Sequence, residues 1–366
     1  SDMNGAYVLM EKIERGRMGL DFDRMDDTGT TGGWMISVDR MQAIPVGMPT
    51  NTIQPNFHCA GPDGILSIPD DEQDSGGSQS VDDISEWYHS YLNFESPDGY
   101  EILPAQRAKI QSVTRTMDAA VRAPDFDDPA TGYAAHLDSE SWARYYATHN
   151  FAKNQDMIVL STFIYRETPD AKLKMGPIWD VDRAFTWKGS ATDSPFIFSD
   201  RDWYQGLFAD GNFEQVLQDI WQEARATTAT DAAVAALVDD AAAGLRSDQI
   251  VASGLDYATW QTRVNDMRTW VVARANTIDS QYEALPSVTP TNQLFSESVE
   301  VAMSATDGGT VYYTTDGSDP RAHGGGIAAS ATVYSGPTNI STRTRIIART
   351  IDGARWSGSV ERNYYQ

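Results

Sequence analysis

Cysteine is nearly absent: Cys59 is the only one among 366 residues. An intrachain disulfide is therefore excluded, and no Cys/His spacing suits a zinc site. Basic residues are scarce as well, 28 Lys and Arg against 52 Asp and Glu, for a formal net charge of -24. Phosphate-backbone binding needs a basic face, so a duplex nucleic-acid partner is not expected, and anionic membranes would repel the chain. The simplest use of such acidity is solubility. No apolar run reaches the length of a membrane span. Neither a Gly-rich phosphate loop nor a Walker motif occurs. There is no Gly-x-Ser-x-Gly, and no histidine is placed to serve a serine.

What is present suffices to fold. Hydrophobic residues make up 41% and aromatics 10%, enough for real cores, and the length favours two domains. Asn4-Gly5 runs straight into residues 6–13, which are rich in strand formers, so the chain is expected to begin inside a domain. A strand follows Gly32-Gly33, over 34–38. Residues 43–98 are dense in Pro, Gly, Asn, Ser and Asp and read as a long acidic insertion, with a short strand near 86–94. Pro104 opens a helix with Ile110, Val113, Met117 and Val121 at helical spacing. Asp138 or Ser139 caps another, whose face is Trp142, Tyr145, Tyr146 and His149. Residues 157–165 and 173–181 form a hairpin candidate across a Pro169-Asp170 turn. Helices are expected over 213–226, 231–245 and 256–281. Residues 285–290 read as a linker. After it, short β-rich runs with Asp-Gly and Gly-Gly turns indicate a small all-β immunoglobulin-like sandwich over 291–366. The fold class expected is α+β.

Chemistry is expected at the hairpin's end. Antiparallel pairing of 158–165 with 172–179 would bring Asp156 close to Asp180, and Asp180 and Asp182 share one side of an extended chain. Three carboxylates together repel one another unless a cation or a basic residue joins them. Oxygen ligands at this density suit Mg²⁺ or Mn²⁺, with Ca²⁺ possible, rather than zinc. Protein kinases place an Asp, a metal-ligating Asn five residues later, a strand pair and a second metal-binding Asp in this order. Here Ser161 stands five residues after Asp156, with a hydroxyl in place of the amide. Bland alternatives stand beside each assignment. Asp182-Arg183 could be a plain ion pair, His149 a packed helix residue, and Lys153 and Asn154 solvent-exposed at a helix end rather than phosphate contacts.

The blocks Lys153-Asn154-Gln155-Asp156, Leu160-Ser161-Thr162-Phe163-Ile164-Tyr165 and Met175-Gly176-Pro177-Ile178-Trp179-Asp180-Val181-Asp182-Arg183-Ala184-Phe185 resemble the core signature of CotH-type (spore coat protein H) atypical kinases. So do Tyr7-Val8-Leu9-Met10-Glu11-Lys12-Ile13, Gly32-Gly33-Trp34-Met35-Ile36 and the helix start at Ala105-Gln106. The resemblance spans 1–284, apart from the acidic insertion. It implies an atypical protein-kinase fold, ATP with a divalent metal, and phosphorylation of Ser on secreted or cell-surface proteins. Under it Asp156 is the catalytic-loop Asp and Asp180 the metal-binding Asp. Asp182 and Ser161 are assisting ligands, and Glu11 lies near the nucleotide. The family's phosphate-cradling strands are expected upstream of residue 4. Val311-Tyr312-Tyr313-Thr314-Thr315-Asp316-Gly317-Ser318-Asp319-Pro320 resembles the C-terminal module of chitobiase and hexosaminidase enzymes. That resemblance implies a non-catalytic spacer or glycan-contacting domain, with Trp356 and Tyr334 either stacking on sugars or packing in the core. The expectation is an extracellular or cell-surface kinase. Its rivals are a non-catalytic surface protein that binds a partner or glycan, and a polymer-acting hydrolase for which no nucleophile is found.

Overall fold

A computed structural model describes residues 13, 15–16, 19–39, 56–57, 91–185 and 190–366. The strand expected over 6–13, with Glu11, lies outside them apart from residue 13, as do Cys59 and most of the acidic insertion. The described chain is α+β with an all-β C-terminal region. It divides into two compact units. The first holds Ser1–Gly189, Phe196–Ala209 and Asp248–Gly254, and the second Ser190–Pro195, Asp210–Ser247 and Leu255–Gln366.

The first unit is built on an antiparallel sheet of β1 (Trp34–Asp39), β2 (Asn56–Phe57), β3 (Tyr91–Ser96), β4 (Thr162–Arg166) and β5 (Lys174–Met175), in the order β2-β3-β1-β4-β5. β1 is central, and Trp34, Met35, Ile36 and Val38 on both its faces are buried. The Gly pair before it is required sterically. Gly32 is left-handed, with φ +75°, and a Cβ there would strike the Arg24 carbonyl; a Cβ on Gly33 would strike the Arg166 carbonyl. The stretch read as an insertion thus contributes two sheet strands, since β3 pairs with β1 and β2 with β3.

Helix α1 (Pro104–Arg122) starts at the expected Pro. Gln106 is buried at its start: its Oε1 accepts from Leu103 N (3.0 Å) and its Nε2 donates to the Met25 and Asp26 carbonyls (3.2 and 2.9 Å). The Gln both caps the helix and ties it to an earlier loop. Helix α2 (Ser139–Ala152) is capped by Asp138, whose side chain accepts from Ser141 N, and α2 packs on β5. Trp142 Nε1 donates to the Leu173 carbonyl (3.0 Å). Helix α3 (Asp202–Leu207) brings Trp203 edge-on to Trp142 at 5.6 Å, and Tyr204 Oη donates to the Trp142 carbonyl (3.0 Å). These aromatics fix α2 in place, so Tyr145 and His149 farther along the same face are held in position to serve a site.

The hairpin differs from the sequence expectation. Its strands shrink to five and two residues, and the register pairs Ile164 with Met175 and Tyr165 with Lys174, two residues away from the pairing expected. Ile158 and Ser161 have left-handed φ of 60° and 53°, which breaks extension before Thr162. Pro177 lacks the N–H that would continue the ladder.

The second unit contains α4 (Gly211–Thr227), α5 (Asp231–Ala243) and α7 (Tyr257–Asp279); α6 (Ser247–Ala252), between the last two in sequence, belongs from Asp248 on to the first unit. Its strands are β6 (Ser287–Thr289), β7 (Gln293–Leu294), β8 (Val299–Ser304), β9 (Thr310–Thr314), β10 (Thr332–Val333), β11 (Thr338–Ile340), β12 (Thr344–Asp352), β13 (Arg355–Trp356) and β14 (Val360–Tyr365). They form two sheets, β10-β9-β12-β14-β7 with β13 paired to β12, and β11-β8-β6. Val301, Met303, Val311, Ile346, Ala348 and Tyr364 lie in their shared core. The linker reading of 285–290 is corrected: β6 pairs with β8 and buries Val288. Trp356 is buried and Tyr334 packs against the core, edge-on to Tyr313 at 6.4 Å, which favours packing over sugar stacking.

Helix α4 joins this sandwich through a polar row at helical spacing. Gln215 Nε2 donates to the Ser357 carbonyl (3.1 Å), Gln218 Nε2 to the Trp356 carbonyl (3.0 Å), and Gln222 Oε1 accepts from Gly358 N (2.6 Å). At the centre, Arg349 on β12 is buried. It makes paired contacts with Asp219 of α4 (2.6 and 2.7 Å) and Asp319 (2.7 and 2.6 Å), and donates to the Ser357 carbonyl (2.9 Å). Removing one member of a buried ion network costs about 3–5 kcal/mol, and less where the carboxylates keep solvent, as here. R349A is expected to lower the stability of this unit by roughly 3 kcal/mol in urea denaturation. An unchanged midpoint would show that the α4 contacts stand without Arg349.

Candidate functional site

The expected site residues lie on and after the end of α2. Lys153 ends that helix in the left-handed region (φ 51°, ψ 42°), its N–H directed to the Asn150 and His149 carbonyls. Asn154 N then donates to the His149 carbonyl (3.0 Å). The reversal buries what the bland sequence reading left in solvent: Lys153, Asn154 and Asp156 are 5%, 1% and 7% exposed. Asp156 starts a short turn in which its carbonyl accepts from Val159 N (3.1 Å) and Leu160 N (2.9 Å).

Two contacts tie this loop to one face of α2. Asn154 Nδ2 lies 2.9 Å from His149 Nδ1, and Asp156 N donates to Asn154 Oδ1 (3.3 Å). One helical turn earlier, Tyr145 Oη meets Thr162 Oγ1 at 2.8 Å. Thr162 Oγ1 also accepts from Ile158 N (3.0 Å) and donates to the Leu160 carbonyl (3.1 Å). Positions 145 and 149 are four apart and so share a helix face. The Tyr145 and His149 rings touch, with centroids 4.2 Å apart.

Arg183 is a partner of Asp156. Arg183 Nη1 donates to Asp156 Oδ1 (3.3 Å), and Gln155 N donates to the Arg183 carbonyl (3.2 Å). Continuing the observed hairpin register brings residue 156 opposite 183 rather than 180. The ion pair considered for Asp182-Arg183 is thus made across the hairpin, to Asp156. Arg183 was missed as a site residue, because the register that sets it near Asp156 is not readable from hydrophobic alternation. Tyr145 and Thr162 were missed too; the aromatic face at helical spacing pointed only to packing.

The remaining expected ligands are placed differently from one another. Trp179 packs against the cluster of Phe22, Met35 and Phe163, and the next residue, Asp180, is exposed in the left-handed region at φ 49°. Asp182 is exposed, and Ser161 is buried with φ 53°. Among the described residues no group of three His, Cys, Asp or Glu side chains could hold a metal ion, so Asp156, Asp180 and Asp182 do not form the single cluster expected. Carboxylate is the donor type that a hard cation takes. Mg²⁺ is commonly held by one or two carboxylates while substrate phosphates and water fill its other positions, and Asp180 and Asp182 supply two exposed carboxylates.

Among the described residues, five of the eight non-glycine residues with positive φ lie in this region: Lys153, Ile158, Ser161, Asp180 and Phe185. Each such conformation costs on the order of 1–3 kcal/mol and persists only where surrounding contacts impose it, a pattern that concentrates at functional sites. No helix of the described residues is long and apolar enough to cross a membrane.

Burial pushes the His149 imidazole down to about 4, so it is neutral near pH 7. The unfolded chain takes up this proton near pH 6.5 and the folded chain only near 4. The stability from a neutral His149 is therefore complete above 6.5 and lost as pH falls toward 4. Burial pushes the Asp202 carboxyl up to about 6, which works in the opposite direction, stability falling as pH rises from about 4 to 6. The two are separable by mutation. The stability difference between wild type and H149N is expected to shrink by about 3 kcal/mol between pH 7 and pH 4, read by denaturant titration at each pH. Separately, Y145F is expected to cost about 1 kcal/mol through loss of its hydrogen bond to Thr162, measured the same way at pH 7.

Compared with known families, residues 2–278 match the model of the CotH kinase protein family, and residues 290–361 match that of the chitobiase/beta-hexosaminidase C-terminal domain. No curated protein and no solved structure matches the chain.

Proposed function

The chain belongs to the CotH kinase protein family, and from that premise we propose that it is an ATP-dependent phosphotransferase, acting on Ser hydroxyls of secreted or cell-surface proteins through an atypical protein-kinase-like fold. The observation that carries the reading is the fixed position of Asp156. It is buried in a strained loop, tied to α2 through Asn154 and paired with Arg183. Phosphoryl transfer is catalysed mainly by positioning and charge stabilisation, and this loop is built for positioning.

In the proposed mechanism Asp156 accepts a hydrogen bond from the acceptor hydroxyl and aims its oxygen at the phosphoryl group. Oδ1 accepts from Arg183 Nη1 at 3.3 Å, which orients the carboxylate toward the substrate. Asp180 and Asp182 hold Mg²⁺ or Mn²⁺, which would neutralise charge on the ATP phosphates. Exposed Asp182 is better placed than buried Ser161 to meet a cation that arrives with nucleotide. Glu11 is assigned to the nucleotide side by family resemblance, and Lys153 and Asn154 by their place just before Asp156, with Asn154 having a further role described below. Ile178 and Val181, each 40% exposed, flank this carboxylate segment and provide apolar surface for a base.

The immunoglobulin-like C-terminal sandwich is proposed as a non-catalytic spacer or glycan-contacting module, and the protein as extracellular or surface-attached. One observation favours a second reading, a non-catalytic surface protein built on a kinase-like core: the Asp156 carboxylate already has a basic partner in the protein itself.

Melting temperature and phosphate transfer decide between them. ATP with Mn²⁺ is expected to raise the melting temperature of the wild type and not of D180A. D156N is expected to keep that shift while losing at least about 100-fold in transfer of labelled phosphate to a Ser-containing acceptor. No shift and no transfer in the wild type would leave the non-catalytic reading.

A further inference from the structure

His149 belongs to none of the roles assigned above, yet its surroundings determine its chemistry. The Asp156 N–H can only donate, so the atom 3.3 Å away is the Asn154 carbonyl oxygen. The amide end facing His149 is therefore the NH₂ group, a donor. At 2.9 Å from that donor, His149 Nδ1 must be an unprotonated acceptor. A neutral ring then carries its proton on Nε2. That Nε2 is buried and has no hydrogen-bond partner among the described residues. A residue present only to fill space would leave no such orphan, because a phenyl or isobutyl group fills the same volume without a polar atom. Nδ1 is what the position requires.

We propose that His149 is a positioning residue for Asp156: its Nδ1 fixes the rotamer of the Asn154 carboxamide, and Asn154 Oδ1 in turn holds the Asp156 N–H and so the direction of the carboxylate. The relay has only one working arrangement. If the Asn154 amide turned over, its NH₂ would face the Asp156 N–H, two donors against each other, and its oxygen would face the lone pair of Nδ1. Among the described residues the ring at 149 is what selects between the two orientations, since Asn154 meets the other side through the bond it is meant to provide. Tyr145 packs against the His149 ring, tilted by 41°, and holds the far end of the same loop through Thr162, so one helix face controls both ends of the loop bearing Asp156. The inference rests on the kinase reading for its catalytic consequence, but not for its structural one.

The test uses the full chain as wild type, H149F and H149N. The asparagine amide keeps an acceptor where Nδ1 lies; phenylalanine keeps the volume and removes the acceptor. Amide hydrogen exchange over 156–160 is read first, with no turnover needed. H149F is expected to speed exchange of the Asp156 amide at least tenfold and H149N to restore most of the protection. A nitrogen-15 spectrum of the wild-type ring should show the proton on Nε2. With ATP, Mn²⁺ and a Ser-containing acceptor, H149F is expected to lower kcat 10- to 100-fold with the KM for ATP within about twofold of wild type, and H149N to recover part of kcat. Exchange altered as expected in a protein whose wild type transfers no phosphate would uphold the positioning of Asp156 and overturn the kinase reading. Unchanged Asp156 exchange in H149F, or a ring protonated on Nδ1, would overturn the inference itself.

Discussion

The site in the first unit depends on one backbone conformation, the left-handed Lys153 that stops α2 and turns the chain back on itself. Glycine is the usual residue at such a helix end, because a Cβ there costs roughly 1–2 kcal/mol. Here the cost is offset by what the reversal makes possible. It brings the Asn154 amide under the His149 ring, five residues back, and starts the turn at Asp156. An extended or αR residue at 153 would send Asn154 away from the ring, leave Asp156 N without its acceptor and uncouple Thr162 from Tyr145. The strain at Ile158 and Ser161 follows from the same demand, since the chain must travel from the end of α2 to the start of β4 within nine residues.

Much of this was legible in the sequence, and the part that was not has a clear physical cause. Helix boundaries at Pro104 and Asp138, the strand after Gly32-Gly33 and the three long helices of the second unit follow from capping residues and apolar spacing, which are local. The hairpin's existence was also local, given by β-formers flanking Pro169-Asp170. Its register was not. A two-residue slip keeps every side chain on its face of the sheet, so hydrophobic alternation cannot detect it, yet it moves the position opposite 156 from 181 to 183, and it is Arg183 that bonds Asp156. The left-handed positions at Lys153, Ile158 and Asp180 are similarly silent, because none of these residues signals positive φ. The exposed Asp180 and Asp182 are where sequence reasoning placed ligands, but without Asp156 among them as a third.

The second unit shows why composition misjudged the join between modules. Residues 285–290 look like a linker because Pro, Ser and Thr dominate, yet Val288 alternates with two exposed neighbours and completes a strand. The matched families divide the chain after residue 278, whereas the compact units place α4 and α7 with the sandwich. Arg349 accounts for the difference. Its guanidinium cannot be buried alone, and each of its two carboxylate partners comes from a different side of that family boundary. Once Asp219 is needed to neutralise a charge on β12, α4 cannot belong to any other core.

The pairing of Asp156 with Arg183 bears directly on how the proposed reaction would use this carboxylate. A phosphoryl group in flight has a loose transition state with charge on its peripheral oxygens, and the acceptor hydroxyl loses its proton late. A strong base is not needed there; a fixed acceptor that aims the hydroxyl is. Arg183 suits that role in two ways. It holds one carboxylate oxygen and so halves the orientations the other can take, and it keeps a cation near the negative charge that gathers around the transferred group. The same ion pair that supports a non-catalytic reading is therefore compatible with turnover, provided the second oxygen is held still. Holding it still falls to the backbone of Asp156, and so to Asn154 and the neutral ring of His149 behind it.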